Sequence, residues 1–172
     1  MRYLLDKNVI RRAVEGLVKI KSNRQITLEN EICLAVLGLS EDQELFVSEE
    51  TLNILERSVG KSIQEAITPC VKVLYPTKYF RRWTRRLRGF GFTGEDAKIL
   101  SIAVFGREEE KVTLGADFVV TNDKHLIAKY KSDFHHIEKR FRAMTSHLQD
   151  PFNLAILPEL VTADEVIDRI ER

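Results

Sequence analysis

Gly115-Ala116-Asp117-Phe118-Val119-Val120-Thr121-Asn122-Asp123 is the stretch whose reading decides the fold. Phe118 to Thr121 is a short apolar run with β-branched residues, bounded by Gly115 and by the break at Asn122-Asp123, and it reads as a buried strand. An acid stands where that strand ends. The same arrangement occurs at the start of the chain, where Arg2-Tyr3-Leu4-Leu5 closes on Asp6 and Lys7-Asn8 breaks the run. A third acid, Asp96, lies just inside Thr93-Gly94-Glu95-Asp96-Ala97-Lys98, at the mouth of an apolar-periodic helix carrying Ile99, Leu100, Ile102, Ala103 and Val104. Where strands and helices alternate, such positions meet in the crevice at the carboxyl edge of a parallel sheet. Repulsion among converging carboxylates raises one pKa or recruits a cation. Hard oxygen donors with room for water suit Mg²⁺ or Mn²⁺, and the chain lacks the Cys and His spacing of a zinc site.

Each acid also has an ordinary structural role open to it. Asp6 and Asp123 stand where a turn or a helix cap is favoured. Thr93-x-x-Asp96 is close to a capping box. Asp117 is expected to turn into the strand, and Ser48 to cap a helix with Glu49 and Glu50 in its first turn. It is the equivalence of the three Asp positions that suggests a common site.

Further segments complete the alternation. Val9 to Ile20 recurs at helical spacing. Thr27 caps a second helix that stops near Gly38. Leu45 to Val47 and Val71 to Leu74 read as strands, and Leu154 to Leu157 as the fifth. Thr162 starts a final helix, the run Arg107 to Lys111 reads as solvated charge, and Lys131 to Asp150 has no assignment. The expected fold is a single α/β domain over residues 1–172: a three-layer α/β/α sandwich with a mainly parallel sheet of about five strands.

At 172 residues, 44% hydrophobic and 31% charged, the composition is that of a soluble globular domain. A net charge of +1 excludes a uniformly basic nucleic-acid binder but leaves room for patches. Cys33 and Cys70 suit reduced thiols. Charge at Arg2 and Asp6 is unlike a signal peptide, and no apolar run approaches the roughly 18 residues of a membrane span. The expectation is a soluble, cytoplasmic protein with no membrane partner. His125, His135, His136 and His147 have no ligand spacing. The densest basic stretch, Arg81-Arg82-Trp83-Thr84-Arg85-Arg86-Leu87-Arg88, reads either as a solvated face or as a phosphate-contacting helix, with Arg81, Arg82, Arg85 and Arg86 on phosphates and Trp83 stacked on a base.

Three motifs in order, Leu4-Leu5-Asp6-Lys7-Asn8-Val9-Ile10, Asp96-Ala97-Lys98-Ile99-Leu100-Ser101-Ile102-Ala103 and Gly115 to Asp123, resemble those of the PIN-domain ribonucleases, a family that includes the VapC-like toxins of VapBC toxin–antitoxin pairs. The likeness covers nearly the whole chain. It implies a Mg²⁺- or Mn²⁺-dependent endoribonuclease with Asp6, Asp96 and Asp123 as catalytic and metal-holding residues and with Asn8 and Thr121 orienting carboxylates or water. It also implies an RNA substrate, with an antitoxin protein or a second copy of the chain as partner on the apolar helical faces near the N-terminus. Two positions depart from the family pattern. Ile54 stands where the family has a Glu, so Glu50, one turn earlier on the same face, becomes the substitute candidate. Lys7 adds a cation beside the site, able to pair with a carboxylate or to weaken metal binding.

Two other classes fit parts of the pattern. A haloacid-dehalogenase-like phosphatase also ends its first strand in Asp, but needs a second acid where Asn8 stands. A catalytically silent PIN-like module that binds RNA or protein agrees with Ile54 and Lys7.

Overall fold

The computed structural model describes residues 1–170, and within them the chain alternates as its patterning requires. The strands are β1 (Arg2–Leu5), β2 (Glu44–Ser48), β3 (Lys72–Pro76), β4 (Gly106–Arg107), β5 (Phe118–Val120) and β6 (Glu159–Val161). The helices are α1 (Lys7–Lys21), α2 (Leu28–Gly38), α3 (Glu49–Ser58), α4 (Lys61–Ile67), α5 (Phe80–Gly89), α6 (Gly94–Phe105), α7 (Lys124–Thr145) and α8 (Ala163–Ile170). One sheet has the order β4-β3-β2-β1-β5-β6, with all pairings parallel except β3 with β4.

Alternating side chains divide the core into two layers. Leu4, Phe46, Leu74, Val119 and Leu160 face α5, α6 and α7. Tyr3, Leu5, Leu45, Val47, Val120 and Val161 face α1, α2, α4 and α8. The result is a three-layer α/β/α sandwich. β1 leads to β2 on one side and lies beside β5 on the other, so the topology reverses between β1 and β5. The crevice at a parallel sheet's carboxyl edge opens at such a reversal, and Asp6 and Asp123 follow these two strands. Gly115 sets the entry to β5. Its φ is +63° and a Cβ there would lie 2.2 Å from the Ala103 carbonyl oxygen, so only glycine fits.

Several expectations need correction. The sheet has six strands, because Gly106–Arg107 pairs antiparallel with Tyr75 and Pro76 at one edge instead of being wholly solvated. The last strand is Glu159–Val161, not Leu154 to Leu157. Leu154 and Ile156 are exposed, whereas Leu160 and Val161 enter the core. The unassigned polar stretch is mostly helix: α7 continues to Thr145, burying Tyr130, Ile137, Phe141 and Met144 on one face. Cys33 is buried and Cys70 half-buried, both as free thiols. Among the described residues no helix is long and apolar enough to cross a membrane.

Candidate active site

Asp6 stands in extended conformation at the N-cap of α1, yet its side chain makes no capping bond. Its amide donates to the Val120 carbonyl at 2.9 Å, which locks the end of β1 to the end of β5. The carboxylate Oδ2 instead accepts from the buried Thr121 hydroxyl at 2.8 Å and from Asn8 Nδ2 at 3.3 Å. Only 8% of Asp6 is exposed. Burial holds its carboxyl above the usual Asp range, against the Thr121 hydrogen bond and the Lys7 amide and ammonium, and the nearby Asp96 charge adds to the rise.

Thr121 joins two acids, since the same hydroxyl oxygen accepts from the Asp123 amide at 3.2 Å. Asp123 caps α7 through Oδ1, which accepts from the amides of His125 and Leu126 at 2.9 and 3.0 Å. At the start of α6, Thr93 Oγ1 accepts from the Asp96 amide at 3.1 Å, so Thr93 is the cap and the Asp96 carboxylate is left for the crevice. Ser48 caps α3 and thereby places Glu50 just beyond β2.

These pieces surround one cavity of about 290 Å³. Asp6, Glu50, Asp96 and Asp123 all line it, as do Lys7, Asn8, Ile54 and Phe80. Residues spanning most of the chain are therefore gathered at the carboxyl edge. Asp117 is not among them: at the opposite edge its Oδ2 accepts from the Arg2 amide at 2.9 Å. The Lys7 ammonium pairs with Glu95 instead of Asp6. Lys98 reaches Glu50 at 3.5 Å. Pairing of Lys7 with a carboxylate is the outcome the sequence allows for, but its partner Glu95, across from α1 to α6, and the Lys98–Glu50 pair, from α6 to α3, are not readable because the partners are remote in the chain. The sequence signals for them are Lys7 beside Asp6 and the charges of Glu95 and Lys98 beside Asp96.

The donors are carboxylate oxygens, one of them buried and hydrogen-bonded only by neutral side chains, which suits a hard cation. As the side chains stand, no three His, Cys, Asp or Glu among the described residues are drawn together as a ready metal cage. The Asp96 charge is felt at Asp6, and Asp123 and Glu50 line the same cavity.

Arg81, Arg82, Arg85 and Arg86 are exposed on α5. Trp83 corrects its expected role. It is fully buried, its ring edge-on to Phe141 at 5.3 Å, because Phe80, Trp83 and Leu87 form the i, i+3, i+7 stripe that seats the helix. It is unavailable for stacking on a base.

No family model, no curated protein and no solved structure matches this chain, and the likeness to PIN-domain ribonucleases therefore rests on the quoted motifs.

Proposed function

We propose that the chain is a divalent-metal-dependent endoribonuclease of the PIN type. The observation that carries the reading is the cavity at the β1/β5 reversal, lined by Asp6, Glu50, Asp96 and Asp123 from four separate elements. Asp6, Asp96 and Asp123 would hold Mg²⁺ or Mn²⁺, with Glu50 as a fourth carboxylate. The ion supplies acidification of a bound water and charge neutralisation at the phosphodiester. Thr121 and Asn8 hold the Asp6 carboxylate in one orientation, and Thr121 ties it to the Asp123 backbone. Lys7 and Lys98 offer ammonium groups to non-bridging phosphate oxygens when an RNA strand competes with Glu95 and Glu50 for them. A toxin held in check by an antitoxin is the biological form this activity would take, and the exposed Val18, Ile20 and Leu28 on α1 and α2 are where a partner helix would lie.

Cleavage of an end-labelled RNA in Mn²⁺ should stop on chelation and fall to background in the double variant Asp96→Asn with Asp123→Asn. Undiminished cleavage by that variant overturns the proposal. The silent binding module is favoured by a specific set of observations: Glu50 and Glu95 are both lysine-paired, and Ile54 stands where the resembled family has an acid. Calorimetric titration separates the two, since the silent module binds no ion at millimolar Mg²⁺ or Mn²⁺. The phosphatase reading loses ground because Asn8, where its second acid is needed, is engaged as an amide donor to Asp6.

A further inference from the structure

Helix α5 differs from the other cationic helices in carrying no acid of its own. On α1, Arg12 and Lys19 pair with Glu15. On α7, Lys129 pairs with Asp133 and Arg142 with Glu138. The α5 segment Phe80–Gly89 contains no acid, and Arg81, Arg82, Arg85, Arg86 and Arg88 are all exposed. Among the described residues none of these five guanidinium groups forms an ion pair. Arg81 with Arg85 and Arg82 with Arg86 are like charges at i,i+4, which repel along the helix. Burial of Trp83 and Leu87 beneath them holds the helix in place despite that repulsion. Five exposed cations on one side of the helix, without an ion pair among the described residues, suit an anion from outside.

The position of the helix indicates which anion. Phe80, the first residue of α5, lines the carboxylate cavity, and the helix leads away from there for about 15 Å, packed on α6. With Trp83 buried, the outer face from Arg81 to Arg88 presents no exposed aromatic ring. Single-stranded nucleic acid is held by stacking together with charge, and here only the charge remains. We propose that this face is a phosphate track, gripping the backbone of the RNA segment that runs out of the cavity and ignoring its bases. The inference rests on RNA being the ligand of the cavity. It adds that recognition along α5 is independent of sequence, as backbone contacts are.

Binding is measured by fluorescence anisotropy in EDTA, with the Asp6→Asn chain and two labelled single-stranded RNAs of unrelated sequence. Both RNAs should bind alike. Each phosphate contact on a single strand contributes about 0.7 to the slope of log affinity against log salt, so R82Q/R85Q/R86Q should flatten that slope by about 2 and weaken binding at least roughly tenfold at about 50 mM salt. R82K/R85K/R86K, which keeps the charge, should retain both affinity and slope. An unchanged slope in the glutamine variant overturns the track, as does a strong preference between the two RNAs. So does arginine-dependent capture of a polyglutamate peptide in preference to RNA, which would assign the face to an acidic protein. Cleavage by the glutamine variant in the Asp6 background distinguishes the two proposals. A flattened slope in a chain that never cleaves RNA leaves the track standing and removes the nuclease. Normal cleavage with an unchanged slope removes the track alone.

Discussion

The two ends of the sheet handle charge in opposite ways. At the amino edge, Glu44 is shared by Lys72 at 2.8 Å, Lys111 at 3.2 Å and Arg2 at 3.9 Å. Glu108 takes up Lys111 and Arg2, and Asp117 accepts the Arg2 amide. Arg2, Lys72 and Lys111 thus balance Glu44, Glu108 and Asp117, and the Arg2 guanidinium lies 4.9 Å from the Phe46 ring centre. At the carboxyl edge, Asp6, Glu49, Glu50, Glu95, Asp96 and Asp123 line a cavity in which, among the described residues, only Lys7 and Lys98 are cations. One end matches its acids with cations, although Arg2 Nε and Nη2 and Glu108 Oε1 are buried without a hydrogen bond. The other keeps an excess of carboxylate, including a buried one, that folding alone does not need. A buried carboxylate of raised pKa in a crevice is the ground on which we propose a site of chemistry there.

The strongest way to break that contrast is to neutralise Asp6. Mn²⁺ at a hundred times its dissociation constant should stabilise the natural chain by about 2.7 kcal/mol, the increment expected for a ligand bound only by the folded state. Asp6→Asn should abolish that increment along with RNA cleavage, read by thermal melting with and without the ion. Equal shifts in both proteins would place the ion elsewhere. Without metal the sign reverses. Because burial raises the Asp6 pKa, its carboxyl favours the folded state fully below the ordinary value of 3.8, and that contribution is lost as pH rises through the folded value. At neutral pH the metal-free Asn variant should therefore melt higher than the natural chain, with the gain shrinking as the pH falls through the raised folded value and gone below 3.8.

The opposite end should respond in the opposite sense. Lysine hydrogen bonds lower Glu44 to about 2, so its contribution is present above the ordinary value of 4.5 and disappears as pH falls from there toward 2. Glu44 is 39% exposed, and with allowance for solvent screening Glu44→Gln should cost about 1 kcal/mol at neutral pH. Denaturant unfolding across that pH window should show a weaker acid dependence in the variant, while cleavage is unchanged. A loss of cleavage would mean that the two ends are coupled.

The smallest change sharpens the contrast. Lys7→Met removes one of the two cavity cations and releases Glu95, whose carboxyl Lys7 holds below the usual range. The pair is solvent-facing, so stability should shift by less than about 0.5 kcal/mol. Calorimetry should nevertheless record tighter Mn²⁺ binding, because the carboxylate excess grows. Weaker binding would make Lys7 a support of the ion site instead of a competitor.

Much of the frame was legible from local pattern. Apolar runs closed by Asp6 and Asp123, and the helix opened by Thr93, are short-range signals, and the structure places their acids at one edge of a parallel sheet. Elements whose signal is weak or split were misjudged. β6 has three residues and follows Pro158, so the longer apolar run Leu154 to Leu157 outcompetes it as a strand signal, although Leu154 and Ile156 are exposed and only Ala155 and Leu157 pack against the core. α7 buries Tyr130, Ile137, Phe141 and Met144 at helical spacing, but the lysines, arginines and histidines between them masked the period. The charge of its neighbours makes Trp83 look exposed, whereas Phe80 and Leu87 define with it an apolar stripe.

By itself, then, the sequence determined the strand–helix alternation, the caps at Thr27, Ser48 and Thr93, and the placing of an acid where β1 and β5 end, because each follows from contacts within a few residues. Only the tertiary structure decided which charges remain unpaired. Lys7 finds Glu95 and Lys98 finds Glu50 across helices, Thr121 bridges Asp6 and Asp123 across neighbouring strands, and Trp83 turns inward because α7 offers it an apolar seat. Ion pairing and burial depend on distance in space, which sequence separation does not encode. The chemistry of both the cavity and the α5 face is set at that level.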